Sequence, residues 1–330
     1  MDFESFYKDK RVLITGGLGF IGSNLAIMLV NIGADVTIID SLDKNCGGNE
    51  YNIDSVKDKI KVIKADIRDK DVIRDAVEGQ QIIFNLAGHL SHKRSMKQPE
   101  LDMSLNIFTS LSLLDACKKN RKGVKIVYTG TRGQYGKIIK NPVDENHPHN
   151  FIDVNGISKQ TAERLHFLYS ELYPQIRVTS ARLTNCYGPR HQMKDPSQGF
   201  ISVFIRKAID NETLELWGGK QTRDLNFVND VVNVLLLLGS EEKANGQMFN
   251  VGSGVDNTLE NFANLIVKLC RSGEIKSISM PEDNAKIDIG NYKADISKLK
   301  RLFGWEPKTN IEEGLKKTID FYKKNKEEYW

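Results

Sequence analysis

The sequence predicts an α/β protein, a doubly wound parallel sheet with a smaller C-terminal α/β lobe. Three observations carry this. Short apolar runs alternate with helix-patterned stretches through the first half of the chain. Each run holds about five to six residues and is apolar nearly throughout, as suits a strand covered on both faces. A glycine-rich turn, Gly16-Gly17-Leu18-Gly19-Phe20-Ile21-Gly22, stands between the first run and the first helix.

Taken in order, residues 11–15 (RVLIT) read as a buried strand and 20–32 as a helix. Strands follow at 34–40, 60–66 and 82–87, then a long helix over 100–119 and a fifth strand at 124–130. A second long helix spans 152–173, ended by Pro174, and a strand occupies 176–183. Beyond Gly188-Pro189 the pattern loosens into short strands at 213–217, 223–228 and 247–252, mixed with helices near 199–210, 229–239, 258–271, 295–303 and 311–326. The expected division is 1–187 for a nucleotide-binding domain, with segments near 229–252 returning to it, and 188–330 for a substrate lobe.

Composition narrows the function. The chain has 330 residues, 40% apolar and 27% charged, with 47 basic and 43 acidic side chains and a net charge of +4. So small a surplus gives no electrostatic case for nucleic acid. Cys46, Cys117, Cys186 and Cys270 are far apart with no CxxC pair, so neither a zinc site nor a disulfide framework is expected. No metal is expected, and a reducing cytoplasm fits. The start MDFESFYKDK has no apolar signal core, and VVNVLLLL at 231–238 is too short to span a bilayer. The C-terminal lysines 316, 317, 323, 324 and 326 read as the solvated face of a last helix.

The glycine spacing has a physical reading. Gly16 permits the tight turn, Gly19 lets backbone approach a pyrophosphate, and Gly22 lets the helix pack close to the strand. The helix N-terminus then offers free N–H groups and a positive dipole end to the phosphates. Asp40 ends the second strand, where a carboxylate accepts from ribose hydroxyls and repels a 2′-phosphate, favouring NAD over NADP. Asp66, at the end of the third strand, is placed to hold an adenine amino group.

With these residues the chain resembles the extended short-chain dehydrogenases/reductases, the NAD-dependent nucleotide-sugar epimerase/dehydratase group, a Rossmann-like fold. The resemblance covers nearly the whole chain: GGLGFIG at 16–22, Asp40, Asp66-Ile67, NLAG at 85–88, Ser95, Pro99, Asn106 and TGTRGQYG at 129–136. It continues through ARLTNCYGPR at 181–190, RDLNFVND at 223–230, FNVGSG at 249–254 and GWEP at 304–307. It implies an NAD site formed by Gly16, Gly19, Phe20, Ile21, Asp40, Asp66, Ile67, Leu86, Ala87, Gly88 and Lys159. It also implies hydride transfer between a sugar carbon and the nicotinamide. Thr131 would hold the sugar hydroxyl, and Lys159 the nicotinamide ribose.

The resemblance breaks at one residue. The family's Tyr-x-x-x-Lys pair, one turn apart on a helix face, is here Asn155 and Lys159 in DVNGISK. An amide cannot act as a general base near neutral pH, so Asn155 is expected to orient substrate or a water. Candidate substitute bases are Tyr135, His89, His92 and Tyr187, with His89 also a candidate for lining the substrate pocket. Slow turnover on a retained cofactor, or binding of NAD and a nucleotide sugar without turnover, remain open readings. Dehydratases of the family carry an acidic pair where this chain has Arg132 and Gly133, so water elimination is disfavoured against C4 oxidation or epimerisation. TRGQYG with DVNGISK is also similar to the dehydrogenases that oxidise C4 of GDP-linked heptoses for capsular polysaccharide.

By resemblance, Asn185 holds the substrate diphosphate, with Arg190 and Arg223 adding charge. Trp217 and Phe200 could flank the base. The expected ligand is a GDP- or UDP-linked sugar, and the expected assembly a homodimer or homotetramer paired through the two long helices.

Overall fold

The computed structural model describes residues 3–43, 46–120, 122–195, 199–286 and 288–330. Six parallel strands come from the first 183 residues: β1 (Arg11–Thr15), β2 (Asp35–Asp40), β3 (Ile60–Lys64), β4 (Ile82–Asn85), β5 (Val124–Thr131) and β6 (Ile176–Leu183). The strand Gln247–Val251 pairs with β6 to complete a seven-stranded sheet. Across the sheet the order is 247–251, β6, β5, β4, β1, β2, β3. The chain winds outward from β1 in one direction and from β4 in the other. The crevice at the carboxyl ends of β1 and β4 is therefore the switch point where such sheets bind ligands.

Helices cover both faces, which is why the strands are apolar throughout. On one side Phe20–Asn31 packs against Val228–Ser240, and Leu25, Leu29, Val231, Val234 and Leu235 are buried with Val12 and Ile14. The apolar run at 231–238 is thus a core helix. On the other side Ile73, Leu113 and Leu114 are buried with Leu13, Ile83 and Ile126. Among the described residues no helix is long and apolar enough to cross a membrane.

Two predicted elements differ in detail. The strand expected at 82–87 stops at Asn85. Leu86 and Ala87 leave it to donate their N–H groups to Thr15 Oγ1 at 3.2 and 3.1 Å. The helix expected over 100–119 is three pieces, Pro99–Met103, a π-turn at Ser104–Phe108, and Thr109–Cys117. Such π-turns are found mostly at functional sites, and this one carries Asn106, whose Oδ1 accepts the His89 N–H at 3.1 Å.

The remainder forms smaller pairs. Thr213–Trp217 runs parallel to Glu274–Ile278, Asn185–Tyr187 parallel to Leu225–Phe227, and Thr222–Arg223 antiparallel to Asn257–Thr258. Buried carboxylates pin its loops. Asp224 accepts the N–H groups of Ser253, Gly254 and Ala294, and Asp230 those of Lys308 and Thr309. The helix Ile311–Lys324 buries Leu315, Ile319 and Tyr322 while its lysines face water.

Candidate active site

A cleft of about 900 Å³ runs along the carboxyl ends of the strands and on between the sheet and the lobe. Its first wall is the glycine turn. Gly16 has φ +68, and a Cβ there would lie 3.1 Å from Ala87 Cα; a Cβ on Gly22 would come within 2.3 Å of Gly16 O. Only glycine permits both approaches. No side chain caps the helix Phe20–Asn31 at Gly19, so its first N–H groups face the cleft uncapped.

The two acids reach the same cleft by different means. Asp40 accepts Leu18 N at 3.0 Å and Leu42 N at 2.9 Å. Burial still raises its pKa, with these two bonds opposing the rise. Asp66 is forked by Arg68, which holds its carboxyl below the usual range. Arg68 also donates to Ser104 Oγ at 2.7 Å, so the fork is fixed by the π-turn. Ile67, Leu86, Ala87 and Gly88 line the cleft with Phe20 and Ile21.

Lys159 is buried, and desolvation pushes it down to about 8. Its Nζ lies 5.7 Å over the Tyr128 ring and would meet a Cβ on Gly88 at 2.8 Å. Among the described residues no protein acceptor takes the ammonium protons, and the side chain lines the cleft. A buried cation without a partner is costly unless a ligand supplies one. The uncapped helix, Asp40 and this ammonium together fit a dinucleotide whose phosphates, adenosine ribose and nicotinamide ribose they would meet in turn.

At the end of β5, Thr131 lines the cleft and accepts Gly133 N at 3.2 Å. Arg132 turns toward the lobe, donates from Nε to Asn185 Oδ1 at 3.0 Å, and lies 5.6 Å from the Tyr292 ring. Burial, then the charge of Arg223, lower it to about 10. Arg223 pairs with Asp288 at 2.9 Å and donates to Gly290 O. Asn185, Arg132 and Arg223 so make a cationic end, with Phe200 and Trp217 further along the same wall.

Five expectations are corrected. Asn155 does not line the cleft: it is 1% exposed, and its amide donates to His89 O at 2.8 Å and Asp102 Oδ2 at 3.0 Å. Both amide protons are spent on the fold, so it does not orient substrate. His89 is closed off beside it, with Nδ1 3.0 Å from Asp102 Oδ2, and is no pocket residue. Tyr135 donates to Asn250 Oδ1 at 2.6 Å beneath the Arg182 guanidinium, and burial pushes its hydroxyl up to about 12. Tyr187 is packed against Phe227 and Phe262. Arg190 donates to Asn52 O and Asn24 Oδ1 at 3.0 Å each, fastening two parts of the chain together, and does not line the cleft.

Other cleft residues escaped the sequence reading. His191 stacks on Phe20 at 4.7 Å, and burial pushes it down to about 4, so the ring is neutral. Lys93 lies 4.9 Å over the Trp217 ring. Asp153 caps the helix Val154–Leu172 and binds His92, which lines the cleft. Its signal was an acid immediately before a helix, the N-cap position.

Comparison with known proteins agrees with this geometry. The family model described as GDP-mannose 4,6 dehydratase matches residues 13–318. The UDP-N-acetyl-alpha-D-glucosaminuronate decarboxylase of Bacillus cytotoxicus is 33% identical over 95% of this chain and 98% of its own. An epimerase from Methanothermobacter thermautotrophicus superposes with a TM-score of 0.92, at 29% identity, over 99% of this chain and 96% of that one. The UDP-glucose 4-epimerase of Thermus thermophilus, solved in complex with NAD, gives a TM-score of 0.84 at 25% identity over 95% of this chain and 99% of that one.

Proposed function

The chain belongs to the GDP-mannose 4,6 dehydratase family of NAD-dependent nucleotide-sugar epimerases and dehydratases, and on that premise we propose that it oxidises C4 of a GDP- or UDP-linked sugar. One observation carries the reading. Thr131 and the ammonium of Lys159 border the same continuous cleft as the glycine turn and the Asn185–Arg132–Arg223 end. A sugar hydroxyl on Thr131 would thus stand between a dinucleotide and a diphosphate anchor.

NAD, when bound, supplies the hydride acceptor. Gly16, Gly19, Phe20, Ile21, Asp40, Asp66, Ile67, Leu86, Ala87 and Gly88 form its bed, and Lys159 holds the ribose and keeps the site positive. Asn185 and Arg223 hold the diphosphate, and Arg132 joins them. Arg132 and Gly133 stand where a dehydratase places its acids, so the keto-sugar keeps its water. The product is a keto-sugar for surface polysaccharide, or an epimer where hydride returns to the other face. The narrower likeness to GDP-heptose oxidation makes a GDP-heptose the first substrate to try. A second copy of the chain, docked through the long helices, completes the assembly, and the cytoplasm is its compartment.

Mass spectrometry of a panel of GDP-, UDP-, CDP- and dTDP-sugars in heavy water tests this, with a keto-acid present to reoxidise bound NADH. Loss of two hydrogens without loss of water is expected. Deuterium uptake at constant composition would mean epimerisation. Loss of water or of carbon dioxide would overturn the reading in favour of a dehydratase or a decarboxylase. Binding without change would leave an NAD and nucleotide-sugar binding protein.

A further inference from the structure

On that oxidative reading, on which this inference rests, one group must take the hydroxyl proton. Tyr135 and Tyr187 are turned into the core, and His89 is closed off on Asp102. Lys159 stands at the end of β4, its Nζ against Gly88 on the cofactor side. His92 stands at the end of β5, beside Thr131. A Cβ on Gly133 would lie 2.9 Å from His92 Cε1, 3.7 Å from its Nε2 and 3.5 Å from Thr131 Cγ2. The imidazole and the threonine therefore flank one backbone position, and it is the absence of a side chain at Gly133 that admits the ring.

The ring is oriented from behind. His92 Nδ1 lies 2.6 Å from Asp153 Oδ2. The Asp153 side chain is 2% exposed and that of His92 is 35% exposed. The other Asp153 oxygen accepts Gly156 N at 2.7 Å, as cap of the helix Val154–Leu172. A carboxylate only accepts, so Nδ1 carries the hydrogen of the neutral ring and Nε2 presents its lone pair. Among the described residues no protein group bonds Nε2. Backed carboxylate, oriented imidazole and open nitrogen form the arrangement by which a histidine takes a proton from a hydroxyl.

We propose that His92, held by Asp153, is the catalytic base that replaces the tyrosine this chain lacks. The C4 hydroxyl, held by Thr131, loses its proton to His92 Nε2, and the C4–H bond gives up its hydride to NAD. A C4 carbonyl, NADH and an imidazolium paired with Asp153 remain. Asp153 is a positioning residue.

The test uses the holoenzyme and three variants. His92→Gln is expected to lower kcat by about 10²-fold or more with KM little changed, general-base contributions running about 10²–10⁴-fold. Imidazole added to His92→Ala restores part of the rate. Asp153→Asn keeps a good helix cap, so it lowers kcat while the melting temperature holds. A second readout needs no turnover. Diethyl pyrocarbonate modifies His92, mapped by peptide mass spectrometry, and saturating GDP- or UDP-sugar blocks it. Undiminished kcat in His92→Gln, or equal modification with and without every nucleotide sugar, overturns the proposal. A wild-type enzyme inert on the whole panel would defeat the oxidative reading instead, while the protection result would still decide whether His92 borders the ligand.

Discussion

Lys159 concentrates the electrostatics of the site in one atom. Its folded pKa of about 8 lies below the ordinary value because burial disfavours the charged form. The ammonium is therefore present below about pH 8 and lost above it. NAD affinity, read by fluorescence quenching, is expected to weaken as pH rises through about 8, and a flat profile would argue against a charged ribose contact. Lys159→Met should abolish that pH dependence and cost most of the turnover, since a ligand contact to a charged donor carries about 1.5–3 kcal/mol. A variant that still reduces NAD at the wild-type rate would remove Lys159 from the site.

At the scale of elements, the helix Val154–Leu172 and the π-turn segment are joined by one amide. Asn155 bridges His89 O and Asp102 Oδ2, and Asp102 sits two residues before the π-turn. Asn155→Ala leaves His89 O without its donor and takes one of two from Asp102 Oδ2, and is expected to cost about 1–3 kcal/mol in urea unfolding. The protein that remains folded should keep its hydride-transfer rate, because the amide faces the fold. This junction also marks where the sequence stops being legible. The glycine turn and Asp40 could be read directly, because the work there is local: a turn, a strand end, a helix start. Lys159 and Thr131 could be placed because the family spacing transfers along one helix and one strand. Tyr135 and Arg190 could not, because their partners Asn250 and Asn52 lie 115 and 138 residues away, nor could His89, which is turned onto Asp102 13 residues further along. His92 could be named as a candidate base but not oriented, because its partner Asp153 is 61 residues away. Spacing fixes which element carries a side chain, and tertiary packing decides which way it points.

At the scale of the molecule, the two long helices leave apolar side chains in water. Met103, Phe108, Ile157, Leu168 and Leu172 are 37% to 60% exposed. Covering them with a second copy is the expected arrangement, and light scattering should report twice the chain mass of 37.3 kDa or a multiple of it. Phe108→Glu with Leu168→Glu should shift that mass toward the monomer, because a charge buried in such a contact finds no partner. A monomeric wild type would dismiss the pairing.

One cleft serves both halves of the site, with Thr131 and Lys159 on the boundary between its two ends. Two guests that share a wall are thermodynamically coupled. Each covers surface that the other would leave wet, so the first to arrive makes the second bind more tightly. The gain must be reciprocal: whatever factor NAD adds to the affinity for the nucleotide sugar, the sugar adds to the affinity for NAD. Calorimetry with each ligand, alone and on the saturated complex, should return one common factor greater than unity. Independent binding would mean that the two ligands never meet at that wall.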